Sequence, residues 1–359
     1  MDFKISSASL ANVMQAVAGR LPNTPATAMH GGVLVTATDG EVTFRTTDMS
    51  TSTKATVQAL VDEPGETVVS AKMMQSIAKS LPDAPVNLSA SGDAAQVTCL
   101  KSKWRLRTLD PRDFPSWEEL EPEGTVTVQR RVLADLVDRA SRAIAKDDTK
   151  PVLRAIRTIA GDGTLRLIAT DSYRVFDMRA QADGGPLVAN MPCAALKGAM
   201  SAKSSAETVT IGCSGNQACI EDGVFTYVTR LIEGNYPDID MVMPKSFASD
   251  ISFDPGEFSD ALKRAGVVAS VNPSVTLFVE GDTMTIRAAS ADQGESTETI
   301  HVDMEGDPLT VSLNYRHILD CVDHNDAEMF LHANGAMSPV VFNSYGDVDM
   351  TYLLMPVRA

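Results

Sequence analysis

The stretch "DGTLRLIATD" (162–171) decides the fold. Its Asp-Gly pair suits a tight hairpin turn, the residues after it alternate with period two, and it closes on Asp171. Two other stretches read the same way, "DGEVTFRTTD" (39–48) and "GDTMTIRAASAD" (281–292). Each is the second strand of a hairpin whose first strand lies just upstream. The closing residues Asp48, Asp171 and Asp292 are spaced by 123 and 121 positions. A period of that size points to repeated domains.

A second landmark keeps the same period. "WRLRTLDPRDFP" ends at Pro115, "FTYVTRLIEGNYP" at Pro237 and "VDMTYLLMP" at Pro356. Between the landmarks lie short helical patterns at 70–81, 192–203 and 312–323, and ahead of each hairpin a longer one at 8–21, 129–144 and 254–269. The order strand, helix, three strands, helix, three strands therefore occurs three times. The expected fold is α+β: three similar domains, 1–122, 123–246 and 247–359, each with two helices on antiparallel sheet. The boundaries fall at the turn-rich segments "EPEGT" (121–125) and "PKSFASD" (244–250).

Length and composition agree with this division. A chain of 359 residues exceeds one ordinary core, and 44% hydrophobic with 22% charged residues is a globular balance. Cysteines 99, 193, 213, 219 and 321 are odd in number and form no CxxC pair, as expected of reduced thiols in a cytoplasmic protein. "MDFKISSASL" has neither the basic nor the apolar region of a signal peptide, and no apolar run reaches membrane-spanning length.

The net charge of −16 taken over the whole chain argues against a polyanionic partner. Its distribution argues otherwise. The six helical segments, the longest taken on to Lys146, together carry +6, which leaves −22 on everything else. On a helix over 129–146, Leu133, Leu136, Val137, Ala140 and Ile144 share one stripe, while Arg131, Asp135, Asp138, Arg139, Arg142 and Lys146 face the other way. Over 70–81, Met73, Met74, Ile77 and Leu81 form the buried side and Lys72, Gln75, Ser76 and Lys79 the outer one. Helices that share one face would offer phosphates a positive surface inside an acidic shell. By helix position the phosphate-facing candidates are Arg20, Lys72, Lys79, Arg131, Arg139, Arg142, Lys146 and Lys197. The third repeat is weakest here, because its helices are slightly acidic.

Motifs for chemistry are sparse. Ser76 and Lys79 match Ser-x-x-Lys, yet the motifs that accompany it in serine acylases are absent. "DCVDHND" (320–326) gathers acids around His324 without the spacing of a metal site. The chain reads as a scaffold, not an enzyme, with no cofactor and no metal.

"PVLRAIRTIAGDGTLRLIATDSYRVF" (151–176), "GNYPDIDMVMPK" (234–245) and the terminal "YLLMPVRA" resemble the bacterial DNA polymerase III beta subunit, the sliding-clamp family. That family carries a strand ending ATDGHRL, an FPDYxxVxP segment and an MPMRL-like tail, and the resemblance spans the whole chain. It implies a head-to-tail homodimer of six clamp domains around a central hole, with helices lining the hole and sheet outside. It implies a non-catalytic processivity factor that encircles duplex DNA and tethers the polymerase III alpha subunit, the clamp loader and other proteins through short linear motifs carrying Leu and Phe.

By position, the resemblance assigns a partner pocket to Leu153, Thr170, Tyr173, Arg174, Val175, Pro237, Met241, Val242, Asn314, His317, Leu353, Met355, Pro356, Val357 and Arg358. It assigns a dimer seam to Trp104 and Leu106 on one side and Val267 and Val268 on the other. The chain departs from the pattern at Ser172-Tyr173 for Gly-His, at Met241 for an Arg, and at Ala359 for a Leu, which implies a reshaped, less basic pocket. The competing readings are a clamp paralogue serving repair or a mobile element and, from another class, an acidic metal-dependent hydrolase built on residues 320–326.

Overall fold

One strand, one helix, five strands, a second helix and three strands: this order runs three times through the computed structural model. The sequence pattern suggested three strands between the helices of a repeat, and there are five. The extra ones include the short edge strands Leu60–Glu63 and Asp303–Gly306. In each of these four-residue strands only one residue is even half-buried, so no apolar alternation marks them. The structure describes residues 1–19, 21, 24–116, 119–147, 149–269, 272–323, 325 and 327–357.

The six helices are α1 (Ser7–Ala18), α2 (Ala71–Ser80), α3 (Arg130–Arg142), α4 (Cys193–Ser201), α5 (Pro255–Gly266) and α6 (Tyr315–Val322). Four begin at side chains suited to capping. Ser6 accepts from the Ser9 amide, Ser70 from Met73, Asp254 from Glu257 and Asn314 from Arg316. Each cap satisfies one of the first-turn amides that have no helical acceptor. Helix α3 is shorter than the pattern suggested. Its last carbonyl, that of Arg142, accepts from the Arg174 guanidinium. Ile144, read as part of the buried stripe, is only half-buried beyond the helix end, and Lys146 lies exposed in the following loop. Met73, also read as buried, is 51% exposed on α2.

The chain divides into two compact units: Met1–Ala134 with Gly184–Leu187 and Ala194–Leu231, and Asp135–Asp183 with Val188–Cys193 and Ile232–Ala359. In the first unit a fourteen-stranded sheet runs through strands of two repeats. They meet where Thr51–Gln58 pairs antiparallel with Phe225–Arg230, Ala55 opposite Phe225 and Thr51 opposite Thr229. Phe3, Leu10, Met14, Phe44 and Met74 fill its core.

The second unit holds a nine-stranded and a four-stranded sheet. Here Arg174–Gln181 pairs antiparallel with Val348–Leu354, Arg174 opposite Leu354 and Ala180 opposite Val348. Phe176 and Tyr352 pack with ring centroids 4.4 Å apart, and Phe253 meets Phe258 at 4.8 Å. The apolar run that ends the chain is thus a sheet strand, with Leu353 and Leu354 buried. All five cysteines are free thiols; Cys213 is half-buried and the others are buried.

Candidate functional site

The turn after the "DGTLRLIATD" strand carries the centre of the partner-pocket candidates. Asp171 accepts through Oδ1 from the Tyr173 amide at 3.0 Å and the Arg174 amide at 3.2 Å, and Thr170 Oγ1 accepts from the Ser172 amide at 3.1 Å. These bonds hold Ser172 at φ 78°, in the left-handed region that favours glycine. The turn leaves Tyr173 68% exposed while Arg174 and Val175, the first two residues of the next strand, are buried.

The C-terminal tail lies against this turn. The Met355 amide donates to the Tyr173 carbonyl and the Val357 amide to that of Ser312, each at 2.9 Å. Met355 is exposed, and Pro356 and Val357 are half-buried. A third segment contributes exposed Pro237, Met241 (82%) and Val242 (54%). Beneath them lies an apolar cluster of Ile168, Val175, Ile239, Val341 and Leu353, flanked by Ile159, Tyr236, Met243 and Phe247. The Tyr236 hydroxyl donates to the Ile168 carbonyl at 3.2 Å, which pins this segment to the sheet. The second unit therefore presents exposed Tyr, Met and Val side chains over a buried apolar floor. Such a surface suits a short peptide with large apolar side chains.

The candidates divide accordingly. Tyr173, Pro237, Met241, Val242 and Met355 are exposed, and Pro356, Val357, Asn314 and His317 are half-buried. Leu153, Thr170, Arg174, Val175 and Leu353 are buried and serve as support, not as open lining. Thr170 donates to the Arg174 carbonyl, and Asn314 is spent as the cap of α6. Arg358 lies outside the described residues.

Ile168, Ile239 and Val341 were not singled out from the sequence. A signal for two of them exists in the strand pattern. Core residues flank Ile168 in "LIA" and Val341 in "VVF", so an apolar residue stands where alternation calls for a polar one.

The Arg174 guanidinium ties three segments together. It bonds Asp171 through Nε at 3.0 Å, Asp320 of α6 through Nη1, and the Arg142 carbonyl at the end of α3 through Nη2. Burial works to lower its pKa, but Tyr352, Asp320 and Asp171 outweigh it and the pKa is raised. Burial, and then the Arg174 charge, depress the His317 pKa below its ordinary 6.5, so the imidazole is neutral at pH 7.

The seam candidates sit on two different elements. Trp104 is half-buried and Leu106 only 8% exposed, both on the strand Ser102–Leu109. That strand pairs with Ala94–Cys99 on one side; on the other, only Thr108 and Leu109 meet Val68 and Val69. Residues 102–107 thus form an open edge among the described residues. Val267 caps the C-terminus of α5, 73% exposed, with Val268 half-buried beside it. The strand Gly294–His301 is the end strand of the four-stranded sheet.

The cationic candidates are less free than the helical wheel suggested. Lys72, Lys79, Arg131, Lys146 and Lys197 are exposed. Arg139 and Arg142, placed on the outer face from the sequence, are half-buried and paired at i,i+4 with Asp135 (2.9 Å) and Asp138 (2.7 Å). Arg142 also donates to the Asp320 carbonyl at 3.1 Å. Acids one turn away neutralise them. Arg20 lies outside the described residues, as do His324 and Asp326 of the acidic cluster.

Comparison with known proteins follows the repeats. Profiles of the DNA polymerase III beta subunit match in chain order: its N-terminal domain over residues 1–118, its central domain over 127–238 and its C-terminal domain over 240–358. The beta sliding clamp of Streptomyces coelicolor is 28% identical, covering 100% of this chain and 99% of its own. The beta sliding clamp of Staphylococcus aureus is 26% identical over 91% of each. The Caulobacter crescentus beta sliding clamp structure superposes with a TM-score of 0.90 at 25% identity over the full length of both chains. A DNA polymerase sliding clamp from Bacillus subtilis shares the fold, with a TM-score of 0.91 at 23% identity, covering 100% of this chain and 99% of that one.

Proposed function

The chain belongs to the DNA polymerase III beta subunit family, and from that premise we propose which of its surfaces do the work of a clamp. It is a DNA sliding clamp, a non-catalytic processivity factor whose ring forms by dimerisation, with DNA, polymerase and clamp loader as partners. Tethering a polymerase to an encircling ring makes its rebinding intramolecular, at high effective concentration. No helix among the described residues is long and apolar enough to cross a membrane. We place its work in the cytoplasm, where a bacterial replication factor meets its DNA.

The partner site is the exposed group Tyr173, Met241, Val242 and Met355 over the floor of Val175 and Leu353, with Pro356 and Val357 completing it. Polymerase and clamp loader would enter it through short motifs carrying Leu and Phe. The observation that carries this is a buried apolar cluster whose members Val175, Ile239 and Leu353 lie within three residues of the exposed Tyr173, Met241, Val242 and Met355 in the chain. Replacing Met355 and Pro356 together with Ala should abolish binding of a short Leu- and Phe-containing peptide and leave the dimer intact. Unchanged peptide affinity would refute the assignment.

The ladders support a seam. Thr51–Gln58 of the first repeat pairs with a strand of the second, and Arg174–Gln181 of the second pairs with a strand of the third. Gly294–His301 is the matching strand of the third repeat, and Ser102–Leu109 matches the strands that accept it in the other two. We assign these two edges to each other across the dimer, with Trp104, Leu106, Val267 and Val268 packing beside them. Val267→Asp should shift the protein from twice 38.3 kDa to a single chain mass in light scattering. For DNA we assign Lys72, Lys79, Arg131, Lys146 and Lys197, spread across the first two repeats, as phosphate contacts without base readout. Retention on circular DNA and loss when the circle is cut is the expected result of a loading assay.

A further inference from the structure

We propose that Asp320, acting through Arg174, is a positioning residue for the partner site, a role that rests on the site assigned above. Arg174 is 4% exposed although Tyr173 beside it stands largely in solvent. A buried guanidinium is tolerated only when its donors are taken. Each of its three nitrogens goes to a different segment: Asp171 in the turn, the Arg142 carbonyl at the end of α3, and Asp320 in α6. Asp320 sits in the last turn of α6, where the helix dipole disfavours a carboxylate. Its side chain is 34% exposed, and its backbone carbonyl also accepts from Arg142. A carboxylate in that place serves the arginine more than the helix.

The first repeat supplies the control. Its turn has the same bonds: Asp48 Oδ1 accepts from the Ser50 and Thr51 amides, and Thr47 Oγ1 from the Met49 amide. Met49 has φ 74°, against 78° for Ser172. The Ser50 carbonyl accepts from the Arg230 amide, as that of Tyr173 does from Met355. The residue in the place of Arg174 is Thr51. The turn therefore forms without an arginine or an acid on a nearby helix. What Arg174 and Asp320 add is a tie between the turn and α6, the helix whose cap Asn314 ends the strand that anchors Val357. Tyr173 and the tail are held at one fixed distance from α6 by that tie.

The test uses the full-length dimer and a fluorescein-labelled synthetic peptide carrying Leu and Phe. Asp320→Asn is expected to weaken the peptide by about tenfold or more, the worth of one charge-assisted hydrogen bond. Hydrogen exchange should quicken at the Tyr173 and Met355 amides and stay unchanged at those of Ser50 and Arg230. Asp320→Glu, which keeps the charge, should recover part of the affinity. Equal peptide affinity in Asp320→Asn and the unmodified protein overturns the role while leaving the site standing. Exchange that quickens equally at both turns also overturns it, since that is general destabilisation. An unmodified protein that binds no peptide overturns the site, and this role with it.

Discussion

The two ladders that join successive repeats have the same backbone and opposite surfaces. In the first unit, Arg45, Ser52, Cys219 and Val228 occupy the positions that Ile168, Val175, Val341 and Leu353 hold in the second. The correspondence follows from the registers: Ser52 and Val175 stand four residues after the turn Asp and face Val228 and Leu353, which face Cys219 and Val341 on the next strand. One set makes a buried apolar floor. The other borders a cleft lined by Lys54, Glu119, Cys219, Glu221 and Val228, with Lys54 and Glu119 ion-paired at 3.1 Å. A repeated fold thus places equivalent strands, and a few outward side chains decide which junction builds a buried apolar floor.

The contrast is open to direct attack. Leu353→Ala should cost about 3 kcal/mol of stability in urea unfolding, because it leaves a cavity in a closed cluster. Val228→Ala at the half-buried equivalent should cost under about 1 kcal/mol. Equal costs would show that the two junctions are packed alike. Val175→Ser, which gives the second junction the residue of the first, should cost about 2 kcal/mol and weaken peptide binding at least several-fold. The reverse change, Ser52→Val, should leave peptide affinity untouched.

Smaller effects sharpen the comparison at the turns. Ser172→Gly and Met49→Gly should each change stability by no more than about 1 kcal/mol, in the stabilising direction, as relief of left-handed strain outweighs added chain entropy. The two values should agree, because φ is 78° at one and 74° at the other. A clear difference would mean that the Arg174 tie strains its turn. The smallest expected effect is from pH. The folded His317 pKa is depressed, so its neutral form is favoured and its contribution is present above the ordinary value of 6.5. Stability should fall as pH drops below 6.5 through the depressed folded value, and His317→Gln should flatten that slope in thermal melts. The first junction has no counterpart.

Much of this was legible in the chain. Asp48 and Asp171 marked the first period because each turn uses a short side-chain acceptor for its own amides. The six helices were read from their apolar spacing, though the capping residues Ser6, Ser70, Asp254 and Asn314 were not singled out. The short edge strands could not be read, because nothing is buried on them to set a pattern. Of the proposed site, Tyr173, Met241 and the tail were assigned through a resemblance in motif. Ile168 and Val341 were not, though an apolar residue out of alternation betrays both.

Sequence by itself determined the threefold order and the family, since both are written in local spacing and turn chemistry. Only the tertiary structure decided which charges are free and which apolar residues are floor. Arg139 and Arg142 lie on the polar face of α3, yet acids one turn away and the α6 backbone consume them. Val175 and Leu353 are ordinary strand residues until Ile239 covers them. Availability depends on what packs opposite a side chain, and partners distant in the chain settle that.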